Sequence, residues 1–586
     1  MSSSTVFGNT TLTSFDVLVI GSGAGGGAAA YTLAKHGLKV LVIEAGVNYF
    51  DGLDDPTRLP TTRFSNDELK FAYRNFITPD PTVEPRTWRT SASDGDRTYV
   101  GDVQGLPKTV GGGGVHADLK MPRLMPQDFT LGTSIGSTWN PKGTNFADWP
   151  VDYDGLEPFY TYCEYALGVQ GLAGANPFEG PRSKPFPMAP GVPMYVALLL
   201  AAGATKLGYQ PFPFPTAVNS QPYDGRPPCV DCGYCSGYGC PSNAKGSPAV
   251  TMLRKALLSG NCQLVTQTRA VKLLMSSSGN TVTGVQCLGP DAAPVTYSAD
   301  RYVLATSPIE DARLLLLSDP GGDGIGNSSG QVGRNLMFHF QTNALGVFPQ
   351  RVHGHRGRTV THGFADFRGV PNDPDHPLAG IVELSGSEFL LDEANYYLQV
   401  MSVIGGFDGA TLKNLMRQSP GRDRVAAMAI QAEDAPQVTN RVDLDPAITD
   451  LDGLPVPRIT YSNHKFELSA SAFYGPKLIS IFGAAGCKYA ALAPTSMPAS
   501  DHIMGTLRFG PDPATSVCDP AGRFHDVGNL YVADGALFPT SSGFNPTMTI
   551  VTLATYVAAG MVFPGSPESA ITPTRVVGGV TVPLAG

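Results

Sequence analysis

Residues 15–46, FDVLVIGSGAGGGAAAYTLAKHGLKVLVIEAG, restrict the fold more than any other stretch of the chain. They read as an apolar strand, a glycine turn, a helix of small residues closed by Gly37, and a second apolar strand, which together make a βαβ unit. Gly21, Gly23 and Gly26 stand as G-x-G-x-x-G. The first permits the tight turn, the second lets the backbone approach a pyrophosphate, and the third lets helix and strand pack closely. The phosphates of a dinucleotide would sit at the helix N-terminus, where unpaired N–H groups point outward. Glu44, at the end of the second strand, is placed to accept hydrogen bonds from an adenosine ribose. NAD and FAD share the ADP moiety, so this unit leaves both open.

With 586 residues the chain is long enough for several average domains or for one large enzyme of two interlocked lobes. Its 68 glycines and 50 prolines, without a periodic repeat, suit a loop-rich globular protein. The net charge of -9 is spread along the chain without a basic patch, which argues against a nucleic acid or an anionic membrane as partner. The first residues, MSSSTVFGNTTLTS, lack the charged and apolar regions of a secretory signal, so a cytoplasmic location is expected, with export only alongside a partner subunit. The most apolar run, MYVALLLAAGA at 194–204, falls short of the about 20 residues that a membrane span needs and reads as a buried helix. Cys163, Cys262, Cys287, Cys487 and Cys518 are scattered and read as small buried hydrophobes.

The far end of the chain selects between the cofactors. Residues 529–560, NLYVADGALFPTSSGFNPTMTIVTLATYVAAG, form a strand, a turn and a long helix that closely resemble the C-terminal signature of the glucose-methanol-choline (GMC) oxidoreductases, which are FAD enzymes. The likeness extends to TVGGGGVHADLKMPRLMPQDF (109–129), DWPVDYDGLEPFY (148–160), YVLATSPIEDARLLLLS (302–318) and GNSSGQVGRNLMFH (326–339). One departure is visible: Ala305, Thr306 and Ser307 stand where the family has A-A-G. The resemblance implies an α/β fold with a Rossmann-like FAD-binding domain assembled from residues 13–130, 240–340 and 500–563. An α+β substrate domain, 131–239 and 341–499, would carry a cysteine-rich insertion at 219–245. Alternating stretches such as YYLQVMSVIGG and RVDLDPA predict an antiparallel sheet there.

Within that family likeness, His502 in DHIMGTLRFG falls on the catalytic histidine of the H-x-x-G-T pattern, and Asn545 in GFNPTMT on the second catalytic position. The implied chemistry is oxidation of an alcohol group of a sugar, glycoside or other alcohol, with hydride passing to flavin N5. His502 would be the general base, because an imidazole titrates near neutral pH and can take the hydroxyl proton. Asn545 can hydrogen-bond the same oxygen without competing for the proton. Gly112 lies in the loop that covers the flavin in this family, and Asp534, Gly535, Pro546, Thr547 and Val271 match other cofactor-contacting positions. His116 lies in the same loop. In the pyranose and choline oxidases a histidine at this spacing is bonded to the flavin 8α-methyl; that bond and simple packing on the ring both stay open for His116. The electron acceptor could be O2, a quinone or a redox protein, which keeps an oxygen-using oxidase, a dehydrogenase and an electron-transfer subunit in view. The Arg- and Gly-rich HGHRGR around His353 and His355 reads as a mobile lid.

Four cysteines, Cys229, Cys232, Cys235 and Cys240, are spaced C-x2-C-x2-C-x4-C-P, one residue longer in the last gap than a bacterial ferredoxin run. A single compact run favours iron and sulfur over zinc, which usually draws on two separated pairs. Disulfides and free thiols stay open. The preceding NSQPYDGRPPC resembles the lead-in to the cysteines of the membrane-complex FAD sugar dehydrogenases, whose iron–sulfur cluster passes electrons onward. That likeness implies a 3Fe-4S or 4Fe-4S cluster here.

Overall fold

The computed structural model describes residues 5–62, 80–95, 99–101, 107–140, 142–386, 397, 408–418, 421, 423–494, 500–572, 574–577 and 580–583. Its organising element is a six-stranded sheet in the order Val6–Phe7, Cys262–Val265, Val40–Ile43, Val17–Ile20, Arg301–Leu304, Leu530–Val532. All neighbours are parallel except Val6–Phe7, which pairs antiparallel with Cys262–Val265. The two VLVI strands are buried on both faces, which is why they read as unbroken apolar runs instead of alternating ones. Strands that lie some 500 residues apart in sequence numbering thus share one sheet, and strand order reverses beside Val17–Ile20, the usual place for a ligand crevice in an open parallel sheet.

Helices Ala24–Lys35 and Thr547–Val562 pack against one another over this sheet, and Tyr153–Leu167 packs on the second of them. A small residue also seats the first helix against the chain that follows Leu530–Val532. A Cβ on Gly25 would lie 1.7 Å from the Ala533 carbonyl oxygen, far inside van der Waals contact.

The described residues also form two further six-stranded sheets. One runs Met504–Thr506, Arg334–Met337, Arg441–Thr449, Pro455–Thr460, Arg86–Arg89, Tyr99–Gly101, and takes up the predicted RVDLDPA strand. The other, antiparallel throughout, runs Tyr489–Leu492, Phe340–Val347, Val425–Ala432, Gly380–Gly386, Val360–Phe364, Phe212–Pro213. Successive side chains of a strand point to opposite faces. In this sheet Val382, Leu384, Met428 and Ile430 join a core with Val196, Leu200, Leu478 and Ile481 of helices Tyr195–Lys206 and Lys465–Ala484. Glu383 and Gln431 therefore face the other way, and both are buried there. The YYLQVMSVIGG stretch lies outside the described residues except for Tyr397.

The 194–204 run forms the helix Tyr195–Lys206, which differs from the expected buried helix: Val196, Ala197 and Leu200 are buried, whereas Tyr195 and Leu198 are exposed. An apolar run on a one-sided sheet cover keeps an outer face in water. Among the described residues no helix is long and apolar enough to cross a membrane.

Candidate active site

His502 lies just ahead of the short strand Met504–Thr506, and that strand pairs with Arg334–Met337, whose continuation carries His339. The pairing places the two imidazoles together, Nδ1 to Nδ1 at 2.8 Å, with the rings near perpendicular. Ser500 Oγ accepts the backbone N–H of both residues, at 3.0 Å from His339 and 3.3 Å from His502. His339 is fully buried, and its Nε2 stands 3.0 Å from the Ser541 carbonyl oxygen. Burial pushes the His339 pKa down to about 4. For His502, burial first, then His339 and the charge of Lys120, hold it well below the usual histidine value. Both rings are neutral at physiological pH.

Asn545 is buried, and its Nδ2 donates to Glu383 Oε1 at 2.9 Å. Its Oδ1 has no hydrogen-bond partner among the described residues. Glu383 is itself held by Lys120 Nζ at 2.6 Å and by Gln431 Nε2 at 3.1 Å. Lys120 thus links the two predicted catalytic residues, pairing with the carboxylate that orients Asn545 and acting electrostatically on His502. A buried amide oxygen without a donor costs free energy unless something bound supplies one, and a substrate hydroxyl other than the one oxidised is such a donor.

The loop bearing Ser541 and Asn545 is rigidly braced. Glu433 Oε1 accepts from Ser541 Oγ at 2.9 Å and from Ser542 N at 2.8 Å, and Gly543 O accepts from Ile381 N at 2.8 Å. Glu433 in turn pairs with Arg368, which also pairs with Asp128, all three buried.

His339, Glu383 and Lys120 were not singled out by sequence reasoning. His339 and Lys120 sit inside the family-like segments 326–339 and 109–129, and Glu383 is a lone carboxylate in the apolar strand GIVELSG. A charge in a strand buried along its whole length is a readable sign that a partner awaits it.

Most of the residues expected to contact a cofactor follow strands of the parallel sheet: Gly21, Gly23 and Gly26 after Val17–Ile20, Glu44 after Val40–Ile43, and Asp534 and Gly535 after Leu530–Val532. Gly21 has φ +99°, and a Cβ there would lie 2.2 Å from the Ala305 carbonyl oxygen; one on Gly26 would lie 2.0 Å from Gly21 O. Gly23 precedes the helix Ala24–Lys35, whose first N–H groups lack intrahelical partners. A Cβ on Gly112 would approach Gly23 Cα at 3.0 Å, so the second glycine loop lies directly on the first. That cradle of backbone suits a pyrophosphate. Glu44 holds the cradle from beneath: Oε2 accepts from Ser22 N at 3.0 Å and Ser22 Oγ at 2.6 Å, and Oε1 from Gly46 N at 2.7 Å. Val271 is buried on the strand Arg269–Met275. Asp534 accepts from Ala536 N and Ser307 N, ahead of the turn Gly535–Leu537, and Pro546 and Thr547 begin the helix Thr547–Val562. Ser307, standing where the family has glycine, adopts φ +87°, a conformation that strains any residue with a Cβ. Its N–H is bound by Asp534, and Thr306 beside it is bound by Asp311.

His116 closes the turn Gly112–Val115; burial and the Lys245 charge push its pKa down to about 3. The cysteine loop is strapped to this turn. Lys245 Nζ donates to the carbonyls of Ala117 (2.7 Å), Cys235 and Tyr238 (both 2.8 Å), and Gly237 N donates to His116 O at 2.8 Å. All four clustered cysteines are free thiols, and no group of three or more His, Cys, Asp or Glu side chains among the described residues is placed to hold a metal ion. The metal-ligand reading of Cys229, Cys232, Cys235 and Cys240 finds no support in that arrangement. Spacing brings the residues near in sequence, but Lys245 fixes the backbone at Cys235 and Tyr238, and Cys232 is exposed. Burial raises the Cys229 and Cys235 thiols to about 11 and about 12, whereas Cys240 is lowered, its burial outweighed by the Ser242 hydroxyl and the Lys245 charge. The HGHRGR loop is pinned: His353, His355 and Arg351 converge on Asp423.

Comparison with known proteins adds the family context. Models described as GMC oxidoreductase match residues 191–341 and 436–554, and an FAD binding domain model matches 16–49. The paromamine 6'-oxidase of Streptomyces fradiae is 31% identical over 92% of this chain and 89% of its own length. The fructose dehydrogenase large subunit of Gluconobacter japonicus is 29% identical over 93% of this chain and 97% of its own. Among solved structures, pyridoxine 4-oxidase from Mesorbium loti superposes with a TM-score of 0.61 at 17% identity, covering 93% of this chain and 98% of that one.

Proposed function

The chain belongs to the GMC oxidoreductases, FAD-dependent enzymes, and from that premise we propose that it oxidises an alcohol group of a sugar or glycoside, with His502 as general base and Asn545 as its partner on the substrate oxygen. The observation that carries this reading is the hydrogen-bonded pair of neutral imidazoles, linked through Lys120 to the carboxylate that holds the Asn545 amide. When bound, FAD supplies the hydride acceptor. The residues do the rest. Asn545 Nδ2, with a second N–H beside the one given to Glu383, donates to the substrate oxygen, the neutral His502 takes the hydroxyl proton, and Glu383 with Lys120 keeps the amide from turning. The backbone cradle of Gly21, Gly23, Gly26 and Gly112, with the N-termini of helices Ala24–Lys35 and Thr547–Val562, would hold the cofactor.

Relatives act on fructose and on paromamine, so anaerobic mixing of the holoenzyme with D-fructose, D-gluconate and paromamine is the direct test. At least one should bleach the flavin absorbance. A panel of such sugars that left the spectrum unchanged would remove the sugar reading.

His116 carries a finer proposal, a covalent link to the flavin. A buried imidazole kept neutral is the nucleophilic form, and its loop rests on the glycine cradle. Acid precipitation should leave yellow colour in the protein pellet, and His116→Ala should release it to the supernatant. Colour in the wild-type supernatant would refute the link.

A further inference from the structure

We infer that His339 is a positioning residue that locks His502 into the tautomer protonated at Nδ1 and bare at Nε2. This deepens the reading of His502 as base and rests on it. Donors and acceptors along the hydrogen-bonded series Ser541, His339, His502 decide the tautomer. The Ser541 carbonyl can only accept, so His339 Nε2, 3.0 Å away, must carry a proton and donate it. A neutral His339 then has a lone pair at Nδ1. Facing that lone pair at 2.8 Å, His502 Nδ1 must be the donor, and the second ring nitrogen of His502 is left without a proton.

The opposite arrangement would set His339 Nε2 as an acceptor against a carbonyl oxygen. His339 is fully buried, so no water can relieve such a pairing. Ser500 Oγ, by taking the backbone N–H of both residues, keeps the two rings in register.

The consequence for the reaction is specific. His502 Nδ1 is occupied by His339, so a substrate can reach only Nε2, where the lone pair must be if the ring is to act as a base. Nε2 has no partner among the described residues. As the hydroxyl O–H bond breaks, its proton goes to Nε2, and the resulting imidazolium keeps its Nδ1–H on the His339 lone pair. His339 thus both selects the reactive form and stabilises the protonated one, without touching substrate. This is the role a carboxylate plays for the histidine of a serine protease, filled here by a second imidazole anchored on a backbone carbonyl.

The experiment is long-range 1H–15N NMR on the holoenzyme carrying 15N-histidine, with His502→Gln identifying the His502 signals. Wild type should show His502 protonated at Nδ1 only. His339→Asn, which offers an amide oxygen in place of the lone pair, should retain that form. His339→Leu should move His502 toward Nε2 protonation and lower kcat for flavin reduction by the sugar that bleaches wild type by about 10²-fold, with little change in KM. A wild-type His502 protonated at Nε2, or a His339→Leu spectrum indistinguishable from wild type, overturns the inference. Failure of the base assignment would look different: His502→Gln would reduce flavin at the wild-type rate, whatever the tautomer observed.

Discussion

His502→Ala is expected to slow reduction of the bound flavin by about 10² to 10⁴-fold, the usual contribution of a positioned general base. The cofactor should stay bound, because the glycine cradle, Asp534 and the helix Thr547–Val562 stand apart from the deleted ring in sequence and make none of the hydrogen bonds found for His502. Stopped-flow reduction of the variant, with its flavin content measured beside it, separates loss of chemistry from loss of cofactor. A variant that retained the wild-type rate with full flavin would end the assignment. The pH profile adds a second check. A base works only when deprotonated, and an ordinary histidine loses that form as pH falls through about 6.5. Burial, His339 and Lys120 all lower the His502 pKa, so the acid limb of flavin reduction should lie well below that point. Lys120→Met removes one of the three causes and should move the limb back toward neutral pH.

What could be read from the chain follows the range of the interactions involved. The βαβ unit was legible because its whole logic is local: apolar tetrads, a glycine turn and a small-residue helix are contiguous in residues 15–46. Glu44 was legible as an acceptor, yet the groups it accepts from in the structure are Ser22 and Gly46, the backbone and hydroxyl of the turn it follows. His502 and Asn545 were found through motif position, not through their partners. Those partners, His339 and Glu383, lie 163 and 162 residues away in the chain, and only the pairing of Met504–Thr506 with Arg334–Met337 and the alternation along Gly380–Gly386 bring them in. The cysteine run is the converse case. Its spacing is local, but the directions of the thiols depend on Lys245 and on a backbone strapped to the His116 turn, and neither is visible in a spacing pattern.

Arg368→Met is expected to cost about 3 to 5 kcal/mol of stability, the range for leaving a buried charge uncompensated. Arg368 is among the largest fully buried side chains, and it pairs with two carboxylates that are equally buried, Asp128 at 2.6 Å and Glu433 at 2.7 Å, while its Nη1 donates to Ala379 O at 3.1 Å. Methionine fills similar space but leaves both acids without a cation, so one or both must take up protons, and the carbonyl of Ala379 keeps only the Glu433 N–H as donor. Urea denaturation of wild type and variant at matched flavin content reads the difference; a shift worth less than about 1 kcal/mol would show that the ion cluster is not a keystone of the core. The loss should also reach the active site. Glu433 holds Ser541 Oγ and the Ser542 N–H, and the Ser541 carbonyl is what orients His339. A variant refolded and fully loaded with flavin should therefore still reduce slowly, with the defect in kcat and not in KM. Asp128→Asn provides the contrast: it leaves Arg368 paired with Glu433 and the Ser541 loop braced, so it should lose stability without that kinetic defect.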